Sequence, residues 1–220
     1  PFDPREINNN FTEGNSWQYS FFVPQDIPGM IEAYGGNEKF EAKLDEMFNS
    51  ESKTTGREQV DVTGLIGQYA HGNEPSHHMA YLYNYIGKPE KTTEKVHYIL
   101  DNFYKNTPDG LIGNEDCGQM SAWYVLSSMG IYAVTPGSAL WESTKPIFKN
   151  IKVNFEDGNS TELNENSNKS RLGIINTKWN WVKPILPEKI IPVPIIQAES
   201  KSFKDKMKVE IKSQNPNDVI

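Results

Sequence analysis

The chain has 220 residues, with 22 Lys and Arg against 29 Asp and Glu, a formal net charge of −7 and 36% hydrophobic residues. This composition is enough for an ordinary globular core, and no run approaches the ~20 apolar residues that a membrane span needs. We therefore expect no transmembrane segment. The acidic balance argues against a nucleic-acid partner, because proteins that bind nucleic acid concentrate lysine and arginine.

The charge differs between two regions of the chain. Residues 1–140 hold 9 basic and 19 acidic residues, a net charge of −10, whereas residues 141–220 hold 13 and 10, a net charge of +3. All four histidines lie in the first region. The single cysteine, Cys117, excludes an intrachain disulfide and a thiolate cage for a metal.

The first region is predicted to consist of helices joined by polar loops that contain glycine. A short helix is expected around residues 26–34. Asn37 can cap the next helix, whose apolar residues recur at helical spacing: Phe40, Leu44, Met47 and Phe48.

Three further helices follow in the chain. One is predicted to start at Pro75 and to stop at Gly87, and Pro89 opens the next. Another is predicted to run from about Gly118 to a stop near Gly130. Helices joined by short loops favour antiparallel neighbours, as in a bundle or an α/α toroid.

The second region changes from helical to alternating periodicity. Ile151 and Val153 alternate with polar residues ahead of the turn pair Asp157-Gly158, and the same alternation recurs around Val209. Four prolines between these stretches favour an extended linker or an edge strand over a helix: Pro184, Pro187, Pro192 and Pro194. The predicted fold class is therefore α+β, with helices in residues 1–140 and strands in residues 141–220. We expect both ends of the chain to be cuts, since it begins with Pro1 and stops just after a turn signal.

The first polar cluster covers residues 13–26, EGNSWQYSFFVPQD. It interleaves Glu13, Trp17 and Gln18 with further aromatic residues, and aromatic surfaces flanked by amides and carboxylates bind sugar rings. The alternative is the start of a helix with aromatic core residues and an exposed Glu13.

The second polar cluster, residues 68–78, holds three of the four histidines. Their spacing matches no zinc motif, so a polar pocket rim is the better functional interpretation. The alternative, of equal weight, is that Glu74 caps a helix and that His77 or His78 is a buried, hydrogen-bonded histidine.

The third polar cluster, residues 109–123, contains the adjacent carboxylates Glu115 and Asp116 just before a helix. Such a pair can cap the helix, hold a cation or face a polar substrate. Together with Glu13, it gives two carboxylate centres on separate loops, the minimum for glycoside hydrolysis by an acid and a base.

Three segments in this order resemble the catalytic region of glycoside hydrolase family ninety-two, the calcium-dependent exo-α-mannosidases: EGNSWQYSFFVPQD, QYAHGNEPSHHMAYLYNYIGKP and DGLIGNEDCGQMSAWYVLSSMGIYAVTPG. The resemblance is close over residues 1–140 and looser over 141–220. It implies a partial (α/α)6 toroid followed by strands of a β-sandwich. It also implies hydrolysis of terminal α-linked mannose with inversion of the anomeric centre.

The resemblance also implies roles for individual residues. Glu13 matches the general acid, and partial burial beside Trp17 would raise its pKa. Asp116 matches the general base, with Glu115 as second choice. Calcium would take oxygen ligands from Gln18, Glu74 and Asp116. The residues implied to bind substrate are Trp17, His71, Gly72, Asn73, His77 and His78. Some members that prefer the α-1,2 linkage carry an acidic residue where this chain has Gly72, so the linkage stays open.

Family members are several times longer than this chain and carry an amino-terminal β-sandwich domain that completes the active site. The chain is therefore expected to be a fragment of a mannose-releasing enzyme, acting on mannose-containing glycans such as N-glycans, with little or no activity alone. The family implies a periplasmic or cell-surface location. The alternatives are a non-catalytic carbohydrate-binding module and a purely structural interaction domain.

Overall fold

The computed structural model describes residues 2–138, 140–164, 171–173, 195–198 and 208–212. The chain divides into two units, Pro1–Val182 and Lys183–Ile220. Every described helix lies in the first unit. The domain boundary expected near residue 140 stays a prediction, and the segment with Pro184, Pro187, Pro192 and Pro194 lies outside the described residues.

Four of the five α-helices lie where the sequence predicts helices. The fifth, a short helix, comes before them in the chain. The helices are α1 Ser16–Ser20, α2 Ile27–Ala33, α3 Asn37–Asn49, α4 Pro89–Phe103 and α5 Gln119–Ser128. None of the helices in the described ranges is long and apolar enough to cross a membrane.

The predicted cap of α3 is wrong. Asn37 is the first residue of the helix, and Gly36 occupies the N-cap position with a φ of 98° and no side-chain hydrogen bond. A glycine fits there because a positive φ is costly for residues with a Cβ. In α2, by contrast, the side chain of Asp26 accepts a hydrogen bond from the Gly29 N–H at 2.9 Å and caps the helix.

The helix predicted from Pro75 to Gly87 is instead two 3₁₀ segments, Glu74–Ser76 and Met79–Ile86. Residues 76–84 are all buried. The segment therefore packs on every side, and no single apolar stripe selects the α-helical pitch. The predicted stop is confirmed, since Gly87 ends the second segment in the left-handed conformation, with a φ of 74°.

The strands form small sheets. In the first unit they are β1 Glu6–Ile7, β2 Thr55–Gly56, β3 Leu65–Ile66, β4 Tyr69–Ala70, β5 Ile131–Tyr132, β6 Leu140–Ser143, β7 Asn150–Asn154, β8 Ser160–Asn164 and β9 Arg171–Gly173. The second unit contributes β10 Ile195–Ala198 and β11 Val209–Lys212, which pair antiparallel. β1 pairs with β2 in parallel, β3 with β4 as a hairpin, β7 with β8 as a hairpin, and β6 lies between β5 and β9.

Two of these sheets carry the segments of the candidate site. The β1–β2 pair joins the chain ahead of Glu13 to residues 55–56, and the β3–β4 hairpin leads into His71. The predicted strand that runs into a turn at Asp157-Gly158 is confirmed by β7, and β8 pairs with it beyond the turn. The mixture of helices and strands agrees with the predicted α+β class.

An aromatic core joins α1, α3, α4, α5 and the 3₁₀ segments. Its largest side chains are fully or nearly fully buried: Trp17, Phe21, Phe40, Tyr69, Tyr81, Tyr83 and Trp123. Burial of each such ring stabilises the fold by about 2–3 kcal/mol. The loops that hold the polar clusters are therefore anchored at their ends in a rigid core.

Candidate active site

The loop of Glu13 is fixed by reciprocal capping of α1. The side-chain oxygen of Asn15 accepts hydrogen bonds from the backbone N–H groups of Trp17 and Gln18, and the Gln18 oxygen accepts the Asn15 N–H at 2.7 Å. This capping box satisfies the free N–H groups of the first turn and sets the path of the chain just after Glu13.

A buried amide network ties the same turn to the neighbouring hairpin. Asn15 Nδ2 donates to Gln68 Oε1 at 2.9 Å, and Gln18 Nε2 donates to the Gln68 carbonyl at 2.7 Å. Gln68 Nε2 in turn donates to the carbonyl oxygens of Glu51 and Lys53. Because Asn15, Gln18 and Gln68 are all fully buried, this network holds α1 rigidly.

Trp17 belongs to the core. It is 5% exposed, and the ammonium group of Lys43 covers its ring at 4.5 Å. The ring is thus occupied by protein contacts, as in the alternative of aromatic core residues at a helix start. Its predicted role in substrate binding stays a prediction.

Glu13 lies within a cluster of carboxylates. Partial burial is the largest cause that raises its pKa, followed by the negative charge of Asp61, a hydrogen bond with Asp61, and the charges of Glu74 and Asp116. No lysine or arginine is among these causes. Four segments that are distant in sequence therefore contribute carboxylates to one acidic site, and a raised pKa suits a proton donor. The catalytic roles of Glu13 and Asp116 stay predictions.

The loop that carries Asp116 has an unusual backbone. Asp116 and Cys117 have φ values of 51° and 56°, and Gly118 follows with 94°. They are the only described residues other than glycine with positive φ. Such conformations cost about 1 kcal/mol or more each and concentrate at functional sites.

The two adjacent carboxylates face different surroundings. Glu115 accepts hydrogen bonds from the backbone N–H and the hydroxyl of Ser121 at 3.2 and 3.0 Å, and its charge raises the pKa of Tyr104. The charge of Asp116 instead raises the pKa of Glu13. It also raises the pKa of His77, which offsets part of the lowering caused by burial. Glu115 is thus anchored on its own helix, and Asp116 belongs to the acidic site.

The three histidines of the second cluster are buried and bonded within the chain. Both ring nitrogens of His71 bond to tyrosine hydroxyls, those of Tyr69 and Tyr104. His77 Nε2 donates to the His71 carbonyl, and its Nδ1 accepts from Gln119. Burial lowers the pKa of His71 to about 2 and that of His77 to about 4.

His78 is also buried, with its Nε2 donating to the Phe21 carbonyl at 2.7 Å and a pKa lowered by burial to about 4. This is the second of the two alternatives for the cluster, in which histidines are core residues. Glu74, however, caps nothing with its side chain and is exposed. The histidines' predicted contact with substrate stays a prediction.

Two buried polar groups beside these histidines lack partners among the described residues: Asn73 Nδ2 and Thr63 Oγ1. Asn73 is 1% exposed. An unpaired buried donor is costly, and a ligand hydroxyl that accepts from it would remove the cost. This favours the predicted role of Asn73. Gly72 packs so closely on Thr63 that a Cβ at position 72 would collide with the Thr63 hydroxyl.

Sequence reasoning missed Asp61. It lies between β2 and β3 and belongs to none of the three polar clusters, but it helps to raise the pKa of Glu13, 48 positions earlier in the chain. No spacing pattern signals a contact of that kind. Only the parallel β1–β2 pair, which brings the two segments together, reveals it.

The implied calcium ion finds suitable oxygen donors here. Glu74 and Asp116 both act on Glu13 within one negatively charged site, and calcium prefers carboxylate and amide oxygens. Gln18 is fully buried, and its oxygen already accepts the Asn15 N–H, which leaves one lone pair for a metal. Within the described part of the chain, no three His, Cys, Asp or Glu side chains alone form a metal site. Calcium would therefore need amide or backbone oxygens as well.

Comparison with known proteins identifies the family to which the chain is similar. Residues 1–189 match the family model of the glycosyl hydrolase family 92 catalytic domain. An uncharacterized secreted glycosidase of Arthroderma benhamiae is 29% identical over 141 residues, which are 64% of this chain and 16% of that protein.

Solved structures of the same family are also similar. An α-mannosidase from Bacteroides thetaiotaomicron in complex with mannoimidazole is 42% identical, with a TM-score of 0.68 over 74% of this chain and 22% of that one. An inverting mannosidase from the same organism is 36% identical, with a TM-score of 0.62 over 77% and 24%. The chain thus spans less than a quarter of these relatives, and it belongs to the glycosyl hydrolase family 92 catalytic domain family.

Proposed function

We propose that this chain carries the general acid and the general base of an inverting exo-α-mannosidase, which releases terminal α-linked mannose from glycans. The observation that supports this most is the acidic site, in which Asp61, Glu74 and Asp116 raise the pKa of Glu13. A carboxyl group with a raised pKa beside a carboxylate from another loop is what acid and base catalysis of glycoside hydrolysis needs.

Glu13 is the proposed acid. Its carboxyl proton passes to the glycosidic oxygen as the bond from C1 of mannose to that oxygen breaks. Asp116 takes a proton from a water molecule that attacks C1 on the opposite face, so that a new C1–O bond forms and the product is β-mannose. Inversion requires the two carboxyl groups to stand roughly 6.5–9.5 Å apart, with room for the water.

Asp116 is proposed as the base in preference to Glu115. Both oxygens of Glu115 accept hydrogen bonds from Ser121, which holds this side chain against α5. Among the described residues no donor anchors the Asp116 side chain in this way, and its charge acts on Glu13.

We further propose that calcium binds beside this pair, held by Glu74, Asp116 and the second lone pair of Gln18. When bound, the ion would hold sugar hydroxyls and favour distortion of the ring. Asn73, with its unpaired Nδ2, would donate to a sugar hydroxyl in the same pocket. These residues bind and orient the mannose, and Glu13 and Asp116 move the protons.

The remainder of the pocket is proposed to come from an amino-terminal β-sandwich domain, with the helices described here forming part of an (α/α)6 toroid. The chain spans 22% of the mannoimidazole-bound relative, which supports this. The 220 residues alone are then expected to have little or no activity. The secreted relative supports a location outside the cytoplasm, at the cell surface or in the periplasm, where N-glycans are substrates.

The test uses this sequence joined to its amino-terminal domain, hereafter the complete enzyme. Glu13→Gln is expected to abolish hydrolysis of α-mannobiose, but to spare much of the hydrolysis of 2,4-dinitrophenyl α-mannoside. The reason is that a dinitrophenolate leaves without protonation. Asp116→Asn should lose both activities by ~10² or more, since both need an activated water. Proton NMR should show β-mannose as the first product.

Glu115→Gln is the matched control, because it removes the neighbouring charge but leaves Asp116 intact. It should retain most of the activity. Initial formation of α-mannose, or equal loss in the Glu115 and Asp116 variants, would contradict the assignment. A complete enzyme that binds mannosides without hydrolysing any of them would favour the carbohydrate-binding alternative.

A further inference from the structure

We propose that Asp61 is a positioning residue that holds the Glu13 carboxyl group and links it to the loop of Asp116. The inference rests on the proposed function, since it assigns Asp61 a part in the action of Glu13. It follows from the hydrogen bonds that the Asp61 carboxylate accepts from its own loop and from the loop of Asp116, and from its place beside Glu13.

The two oxygens of Asp61 have different partners. Gln59 Nε2 donates to Oδ2 at 2.7 Å, and Asn114 Nδ2 donates to Oδ1 at 3.3 Å. Partial burial, the negative charge of Asp61 and hydrogen bonding with it raise the pKa of Glu13, so the two carboxyl groups are neighbours. The two N–H donors hold the Asp61 carboxylate in a fixed place beside Glu13, where it can accept a hydrogen bond from the Glu13 carboxyl group when that group is protonated.

Asn114 makes this more than a local contact. It lies two residues before Asp116, in the loop whose backbone has the left-handed conformation. Through Asp61, the loop of the acid and the loop of the base are therefore bonded to the same carboxylate. A displacement of about 1 Å between two such loops can lower turnover by ~10²-fold.

Arg57 also links the segment of Glu13 to Asp61, by way of Gln59. Its guanidinium donates to the Thr12 carbonyl at 2.7 Å, next to Glu13, and to Gln59 Oε1 at 2.9 Å. The Gln59 amide is thus oriented by Arg57 at its oxygen and donates to Asp61 from its nitrogen. A chain of hydrogen bonds runs from Thr12 through Arg57 and Gln59 to Asp61.

The backbone around Asp61 is fixed as well. The Asp61 carbonyl accepts from the Thr63 N–H at 2.9 Å, and the Thr63 carbonyl accepts from the Gly72 N–H at 3.1 Å. Since Gly72 adjoins the buried cluster of His71 and Asn73, Asp61 is held on a well-packed support. These contacts allow it to orient a neighbour instead of moving with it.

The test compares Asp61→Asn with the original residue in the complete enzyme. The amide cannot accept on both sides, so the Glu13 carboxyl loses its fixed orientation. Turnover of α-mannobiose, which needs the acid, is expected to fall about tenfold or more. Turnover of 2,4-dinitrophenyl α-mannoside, which does not, should change by no more than about twofold. A purely structural role would lower both rates together.

Glu58→Gln, an exposed change in the same loop, is the matched control and should alter neither rate. If Asp61→Asn fails to fold by circular dichroism, Asn114→Ala removes only the link to the base loop and should give a smaller loss on α-mannobiose alone. Equal loss on both substrates, or no loss on either, overturns the inference. If Glu13→Gln does not lose more activity on α-mannobiose than on 2,4-dinitrophenyl α-mannoside, the proposed acid is wrong. If Glu13→Gln shows that difference and the Asp61 and Asn114 variants do not, the inference alone fails.

Discussion

The hydroxyl of Tyr104 fixes the protonation of His71. It donates its one proton to the Met120 carbonyl at 3.1 Å, so at 2.7 Å it must accept from His71 Nε2. His71 Nδ1 then accepts from the Tyr69 hydroxyl at 2.8 Å. A neutral imidazole with its proton on Nε2 satisfies every bond, whereas an imidazolium would also donate from Nδ1 and would leave the Tyr69 hydroxyl proton without an acceptor among the described residues.

This core of neutral histidines predicts loss of stability at mildly acidic pH. The pKa values are about 2 for His71 and about 4 for both His77 and His78, against 6.5 for an exposed histidine. Between these values the unfolded chain binds more protons than the folded one. Stability is therefore retained above pH 6.5 and falls as the pH drops below it, by up to about 1.4 kcal/mol per pH unit for each histidine.

Urea denaturation at pH 7.5, 6.5 and 5.5 measures this slope. We expect the free energy of unfolding to fall by no more than about 1 kcal/mol between the first two, and by about 1–4 kcal/mol in all at the third. His97→Gln, on the surface of α4, should leave the slope unchanged. A free energy of unfolding that is constant down to pH 5.5 would show that the histidines are not held neutral by burial.

Gln68 is predicted to be a major stabilising residue of the site's support. In Gln68→Leu, Asn15 Nδ2 keeps the Arg5 carbonyl but loses its second acceptor, and the carbonyls of Glu51 and Lys53 lose their donor. Unsatisfied buried groups cost about 1–3 kcal/mol each, so a loss of about 2–4 kcal/mol in the free energy of unfolding is expected. Gln25→Leu, at an exposed position, should change it by less than about 0.5 kcal/mol. A loss of less than about 0.5 kcal/mol for Gln68→Leu would mean that water bonds to the groups that Gln68 leaves unpaired.

Local patterns predicted most of the helices but only part of the site. The spacing of Phe40, Leu44 and Met47 identifies α3, because burial of one apolar face dominates helix stability. The partner of Glu13 at Asp61 depends on a parallel strand pair between distant segments, which no periodicity encodes. Which of two adjacent carboxylates faces the site depends on the hydrogen bonds of Ser121, which form only in the folded chain.

Gly72 is predicted to tolerate no side chain while Thr63 is present. Gly72→Ala would press a methyl group against the Thr63 hydroxyl and should cost about 1–3 kcal/mol in the free energy of unfolding. Thr63→Ala removes that hydroxyl, which has no partner among the described residues. In a double-mutant cycle measured by thermal unfolding, the double variant should therefore recover most of the free energy of unfolding that Gly72→Ala loses. Additive losses in the double variant would place the strain elsewhere.

The proposed calcium site predicts a ligand-dependent gain in stability for the chain itself. A ligand at 100 times its Kd stabilises the folded state by about 2.7 kcal/mol. Thermal unfolding in 1 mM CaCl₂ should give a higher Tm than in EGTA, and magnesium should not replace calcium, since it demands a tighter octahedral site. Glu74→Gln should remove most of the shift, whereas the exposed Glu90→Gln should retain it. An equal shift in both variants would remove Glu74 from the ligand set.

Glu13 is predicted to be unfavourable for stability at neutral pH. Its pKa is raised in the folded chain, so between its unfolded and folded values the folded state binds more protons. Stability is therefore fully present at lower pH and falls as the pH rises through the folded pKa. Glu13→Gln removes the charge that Asp61, Glu74 and Asp116 repel, so it should raise the Tm at pH 7. The rise should be small, because water screens a partly exposed group.

The difference should vanish near pH 3.5, where the Glu13 carboxyl is protonated and as neutral as the amide. It should also shrink in 1 M NaCl, where the screening length falls to about 3 Å. Glu38→Gln, on the exposed face of α3, lacks this cluster and should show no such dependence on pH. A variant less stable than the original at pH 7 would mean that ionised Glu13 gains more from its surroundings than its acidic neighbours cost it. Glu13 would then be a poor general acid, since an acid must keep its proton until the glycosidic bond breaks.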